Sequence, residues 1–452
     1  MLYHNKTFPA KPTSLSSKVI LIVLLLRPCI VFGQGNEPTV DSSLRTLKDV
    51  TIISKLVKYQ PYILEYQIAI KQPLDHNDTT KGFFYQQLRL AHRDFSKPMI
   101  MQTEGYNGRE FVSELQRVFA ANEINVEFRY FNKSRPDSLQ WQYLTFEQAA
   151  ADLHHINQVF RSLYHSKWIS TGISRGGETT LIYRYFYPTD VDVSVPYVAP
   201  MPNDIEDKRI YAFLDTAGGP SCVKKLRAVQ IFLLQHEKEA LQKIPVAEKS
   251  LHYTFVGGLG QAFEYSVLEY PFSFWQISTL TEKDIPTNNN LDSILQHIFT
   301  VFGSYISNFS DEETEGFVPH YYMTYQTGYY KYNIRPFTNY LHYLKGSNPP
   351  ASYLPPGVPL KNYDPEFERK INEWLATSGN NILYVYGGRD TWTACAVNIT
   401  NVVNAKRFVI PGANHAFARI RYMPLSMQRE FGEALESMTG MKPDFSTLTT
   451  MK

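Results

Sequence analysis

Three residues of this chain have the types, the order and the local setting of a nucleophile, an acid and a base. Ser174 lies within Gly172-Ile173-Ser174-Arg175-Gly176, after an apolar-aromatic run containing Trp168 and Ile169 and before Glu178 to Tyr187, which reads as a helix. A Gly-x-Ser-x-Gly between a strand and a helix is the signature of a sharp turn that exposes the serine hydroxyl, with glycine where a side chain would collide. That hydroxyl is a weak nucleophile until a base takes its proton, and the base needs an acid to orient it. Asp390 follows the apolar run Ile382 to Tyr386, and His415 follows Arg407 to Ile410. Alone, each is commonplace: a Gly-rich turn, a turn aspartate, a loop histidine among 12. Together they fall in the order serine, acid, histidine, each just past a strand end, which favours a triad over coincidence. His76, His92, His154, His155 and His165 precede Ser174 and would break that order.

The negative oxygen formed when a serine attacks a carbonyl needs two backbone N–H donors, one from the residue after the nucleophile and one from a loop after an early strand. Arg175 supplies the first. The turn Glu104-Gly105-Tyr106 ends the apolar run Pro98 to Thr103, so Gly105 or Tyr106 is expected to supply the second.

The elements that must position these groups are visible as changes of rhythm. Residues 34 to about 55 read as a polar leader with little periodicity. Tyr62 to Ile70 and Gly82 to Leu90 alternate and read as two hairpin strands, and Asn125 to Tyr130 reads as a further strand. Thr145-Phe146-Glu147-Gln148 begins a capped helix with Leu153, Ile156 and Phe160 at helical spacing. Short apolar runs alternating with helices argue for a parallel sheet, and a leading hairpin makes this the order of an α/β-hydrolase. From 201 to 375 no strand rhythm appears, while Cys222 to Leu241 and Leu291 to Tyr305 look helical. The fold class expected is α/β, an α/β-hydrolase fold with a mostly parallel sheet flanked by helices. Residues 34–200 and 376–452 form its two parts, and 201–375 form a mostly helical lid between them.

Composition narrows the function classes. With 43% hydrophobic and 19% charged residues over 452 positions the chain can bury a large core, and a net charge of +2 provides no field to recruit nucleic acid. Aromatic residues make up 14%, 31 of them Tyr, which suits a cleft that grips peptides or sugars. Lys6, Lys11 and Lys18 precede the apolar run Val19 to Leu26, with Val31-Phe32-Gly33 after it, so residues 1–33 read as an export signal too short to span a bilayer. The expected location is secreted or periplasmic; Arg27 and Pro28 interrupt the apolar core and leave retention at the membrane open. Beyond the leader only Cys222 and Cys395 remain, and one disulfide or two free thiols are equally compatible with the sequence.

Longer blocks carry a resemblance. Gln72-Pro73-Leu74-Asp75-His76, Glu127 to Phe131 and Tyr143 to Ala149 resemble the framework of serine exopeptidases of the prolyl carboxypeptidase group. Gln102 to Tyr106, Gly172 to Gly177, Phe186-Tyr187-Pro188, Leu268 to Gln276 and Tyr386 to Asp390 with Trp392-Thr393 are more similar to the secreted prolyl tri/tetrapeptidyl aminopeptidases. The similarity runs from about residue 60 to the C-terminus. It implies the triad Ser174, Asp390 and His415, a lid that admits short peptides or free N-termini, and no cofactor or metal. The family usually has Lys where Arg175 stands, a change that spares a backbone donor. An aminopeptidase must hold the substrate ammonium at a fixed distance from its nucleophile, and a buried carboxylate does this best. Glu104, beside the oxyanion turn, and Glu269, in an aromatic stretch of the lid, could each serve; equally, Glu104 could be a structural carboxylate and Glu269 a helix-surface charge. Trp275, with Phe272 and Phe274, could line a pocket for proline or simply fill the lid core. An esterase or lipase on the same scaffold, and an inactive binding protein, remain the other readings. Intact triad residues count against the binder, and a lid rich in Tyr and charge counts against a lipase. The partner expected is a short peptide or a protein N-terminus, with no nucleic acid and no stable membrane partner.

Overall fold

Ile63–Pro73 (β2) and Phe83–His92 (β3) pair antiparallel, with Leu64 opposite His92 and Pro73 opposite Phe83, so the alternating segments form the expected hairpin. They belong to a computed structural model that describes residues 37–58, 63–248, 253–346, 353–355, 357–359 and 361–449. The export signal expected over 1–33 lies outside the described residues. Residues up to Thr46 form a unit of their own, in which Glu37–Arg45 is helical; Leu47 onward forms the second unit.

Val50–Lys58 (β1) adds antiparallel to β2 at one edge of the sheet, where the sequence reading had placed mostly leader. A register shift between Ile52 and Ser54 breaks the two-residue alternation, and Ile53 and Leu56 face solvent, which hides the strand from a periodicity argument. The remaining strands are Met99–Thr103 (β4), Asn122–Val126 (β5), Trp168–Ile173 (β6), Val193–Tyr197 (β7), Ile382–Gly387 (β8) and Ala405–Ile410 (β9). The nine lie in the order β1-β2-β3-β5-β4-β6-β7-β8-β9. From β5 to β9 every neighbouring pair is parallel, and β3 joins β5 antiparallel. This is an α/β-hydrolase sheet with one extra strand at its antiparallel edge. The strand expected over 125–130 instead spans Asn122–Val126: Arg129, fully buried, leaves the sheet to bond Asp152 through Nε at 2.6 Å.

Helices cover the sheet where the sequence asked for them. Thr145 caps Phe146–Arg161 by accepting the Gln148 N–H, and the helix buries Leu153, Ile156 and Phe160. Between β7 and β8 the described residues contain helices and no strand. Gly219–Gln235, Leu259–Gln276 and Leu291–Phe302 enclose an apolar core of their own, which Trp392 and Cys395 join from the β8 side. Pro365–Thr377 packs elsewhere: its Phe367, Ile371 and Leu375 share a core with Ile382, Tyr384 and Tyr386 of β8. Glu264 pins the chain returning across the lid, accepting the N–H groups of His342, of Tyr343 at 3.0 Å and of Leu344 at 2.6 Å. Cys222 and Cys395 are buried free thiols.

Candidate active site

Ser174 stands alone between the end of β6 and the helix Arg175–Phe186, with φ 59° and ψ −124°. A non-glycine residue held there stores about 1–3 kcal/mol of strain, which the surroundings must impose. They do so by close approach: a Cβ on Gly172 would lie 2.2 Å from the Gly176 carbonyl oxygen, and one on Gly176 would lie 2.5 Å from that of Thr103. Only glycine fits at either position. The Ser174 N–H donates to the Tyr197 carbonyl at 2.9 Å and its own carbonyl accepts from the Glu178 N–H at 3.0 Å, so the backbone is fixed from both sides. The side chain does not cap the helix.

Asp390 and His415 meet at the same end of the sheet. Asp390 follows the turn that ends β8 and is fully buried; its Oδ1 accepts the Trp392 N–H at 3.1 Å, and its Oδ2 lies 2.7 Å from His415 Nδ1. A carboxylate in that position favours the tautomer with the proton on Nδ1 and the lone pair on Nε2, the arrangement a general base requires. Among the described residues the Ser174 Oγ makes no hydrogen bond, so the structure joins Asp390 to His415 and shows no bond from either to the serine. Catalytic hydrogen bonds of free enzymes commonly tighten only around substrate.

His415 is held by groups that its own stretch of sequence does not announce. The His415 N–H donates to the Gln276 carbonyl at 2.9 Å, at the last turn of the lid helix Leu259–Gln276. Asn414 Nδ2 donates to the Ile277 and Ser278 carbonyls at 3.0 and 3.1 Å, and Thr391 Oγ1 to the Phe272 carbonyl at 3.0 Å. Their polar types next to Asp390 and His415 were the available signal; their partners, more than a hundred residues away in sequence, were not visible.

The expected oxyanion donors lie against one another. A Cβ on Gly105 would come within 2.1 Å of Arg175 Cγ and 2.8 Å of its carbonyl carbon, so the turn after β4 touches the residue after the nucleophile. Among the described residues the N–H groups of Gly105, Tyr106 and Arg175 donate to no protein group, whereas the Tyr106 carbonyl is anchored by the Phe128 N–H at 3.0 Å. The Arg175 guanidinium turns away, to Glu178 at 2.7 Å and Thr327 at 2.8 Å, leaving the backbone and the aliphatic stem of this residue at the turn.

With this geometry in place the comparisons with known proteins are decisive. The family model described as PS-10 peptidase S37 matches residues 39–443. The chain belongs to this family of serine peptidases. It is 32% identical over 377 residues to the prolyl tri/tetrapeptidyl aminopeptidase of Streptomyces mobaraensis, covering 80% of this chain and 78% of that protein. Solved structures that resemble it include VinJ, at 11% identity and TM-score 0.40, and a proline iminopeptidase of Mycobacterium smegmatis, at 10% and 0.39. Each match covers 82% of this chain and 98% of the other.

The three residues expected to bind substrate occupy different settings in this S37 peptidase. Glu104 is enclosed at the end of β4, where its carboxylate takes Asn125 Nδ2 at 2.7 Å, Gln102 Nε2 at 3.2 Å and Arg109 Nε at 3.1 Å. Burial pushes its pKa up to about 7, against the pull of Arg109. Glu269 is buried in the lid helix, accepting from Ser273 Oγ and Tyr330 OH, both at 2.7 Å. Burial raises it to about 7 as well, and among the described residues no Lys or Arg pairs with it. Trp275 packs edge-on to Phe213 and Phe274, with the Arg389 guanidinium 5.1 Å over its ring. Aromatic rings connect the lid carboxyl to the site: Tyr330 lies 5.5 Å from Trp392, two residues past Asp390, and Tyr329 bridges Tyr330 and Trp392.

Proposed function

We propose that this serine exopeptidase releases short peptides from free N-termini through an acyl-enzyme on Ser174, with His415 as base and Asp390 as its orienting acid. The observation that carries the reading is the 2.7 Å Asp390–His415 contact past the ends of β8 and β9, the same end of the sheet at which β6 delivers a strained serine. His415 takes the hydroxyl proton as Ser174 attacks the scissile carbonyl, and the N–H groups of Arg175 and of Tyr106 or Gly105 receive the developing oxyanion. His415 then returns the proton to the leaving amine and activates water against the ester. Glu269 fits the ammonium anchor, being a buried carboxylate with hydrogen-bond donors but no cation. The lid, taken as 201–375, limits how much chain can precede the cleaved bond. Release of tri- or tetrapeptides after proline follows from the S. mobaraensis relative's name. Among the described residues no helix is long and apolar enough to cross a membrane. The basic residues and apolar run of 1–33 support export to the periplasm or beyond.

A fluorophosphonate probe is expected to label the wild type, and Ser174→Ala is expected to lose both labelling and at least about 10³-fold in kcat. Mass spectrometry of a peptide library should then show short fragments from free N-termini and none from N-acetylated peptides. Hydrolysis of short acyl esters with no peptide cleavage would assign the site to an esterase.

A further inference from the structure

Among the described residues a histidine ring packs with the tyrosines between the oxyanion turn and Glu269. His320, in the first turn of the lid helix Val318–Thr327, is 5% exposed. Its ring centre lies 5.5 Å from that of Tyr106 and 5.2 Å from that of Tyr329. Tyr329 in turn lies 4.7 Å from Tyr330, the tyrosine that bonds Glu269. The imidazole therefore links the oxyanion turn to the tyrosines that lead to Glu269.

His320 Nδ1 is buried without a hydrogen-bond partner. Burial, followed by the positive charge of Arg175, pushes the His320 pKa well below the usual value, so the ring is neutral. A neutral imidazole has one N–H and one lone pair, the complement of a peptide unit's carbonyl and N–H. Leaving a buried polar atom unpaired costs about 1–3 kcal/mol, a cost that Phe would avoid among these aromatic neighbours.

Resting on the aminopeptidase reading, we propose that His320 is a positioning residue that hydrogen-bonds the backbone of the peptide's N-terminal portion between Ser174 and Glu269. Its contribution is to orient the acyl segment so that the scissile carbonyl meets Tyr106 and Arg175; it handles no proton of the reaction.

The test compares wild type, His320→Phe and His320→Gln on a tripeptidyl anilide ending in proline and on a small acyl ester, with the rate of fluorophosphonate labelling as a third measurement. His320→Phe is expected to raise KM for the anilide at least about tenfold, with a smaller fall in kcat. Its ester hydrolysis and labelling should stay within about threefold of wild type, and His320→Gln should recover part of the loss. If His320→Phe does not fold, His320→Leu replaces it with the same expected split. Unchanged anilide kinetics would overturn the proposal, as would an equal loss of anilide hydrolysis, ester hydrolysis and labelling, which marks a structural role. If the wild type takes the label and cleaves the ester but no peptide, the aminopeptidase reading fails, and this inference with it.

Discussion

Glu104 in the sheet and Glu269 in the lid are carboxyls of one type, 2% and 4% exposed, and burial raises both to about 7. They differ in what surrounds them. Glu104 has a guanidinium within 3.1 Å, so its charge is already met inside the protein. Glu269 has hydroxyl donors, which steady a negative charge without cancelling it. A buried carboxylate so placed attracts a cation from outside, and a peptide's N-terminal ammonium is such a cation. The difference separates a carboxyl that is paired within the protein from one open to a cation, the role proposed for it.

Removing the lid carboxyl is the strongest way to break that contrast. Glu269→Gln is expected to lower kcat/KM on peptides with free N-termini by about 10²-fold, mostly through KM, while labelling of Ser174 persists. An unchanged KM would end the role assigned to Glu269. Glu104→Gln should act on folding instead: it strands Arg109 and costs about 1–3 kcal/mol, read as a lower denaturation midpoint, with KM within about threefold. A large KM rise at an unaltered midpoint would exchange the two roles. The smallest effect sharpens the comparison through pH. Below its raised pKa Glu269 is protonated and offers no charge, so KM should rise about fivefold from pH 7 to pH 6, to the extent that a site half ionised at pH 7 is emptied of charge. This acid limb should vanish in Glu269→Gln and survive in Glu104→Gln.

The residues proposed as a triad were legible as candidates because each is announced locally. Gly172 and Gly176 mark the turn whose crowding excludes a Cβ, and Asp390 and His415 directly follow apolar runs that became β8 and β9. Contacts across long stretches of chain were not legible. Nothing near Glu104 says that Arg109 folds back onto it rather than into solvent, and nothing near Glu269 says that Tyr330 will bond it. Strand β1 was hidden for a different reason, because a bulge shifts its alternation by one residue and its outer face stays wet. Likewise β5 begins before the apolar stretch that suggested it, since Asn122 and Glu123 are buried by partners elsewhere, Glu123 by Arg89 at 2.8 Å.

The hydrogen bond from the His415 N–H to the Gln276 carbonyl divides the proposed triad between two supports. Ser174 takes its position from the sheet, whereas the base takes part of its position from the last turn of a lid helix. Under the proposed reading, selectivity and reactivity are therefore one mechanical assembly. Trimming or transplanting the lid to admit longer chains would also move the base, so broader specificity in this scaffold requires redesigning the catalytic loop at the same time.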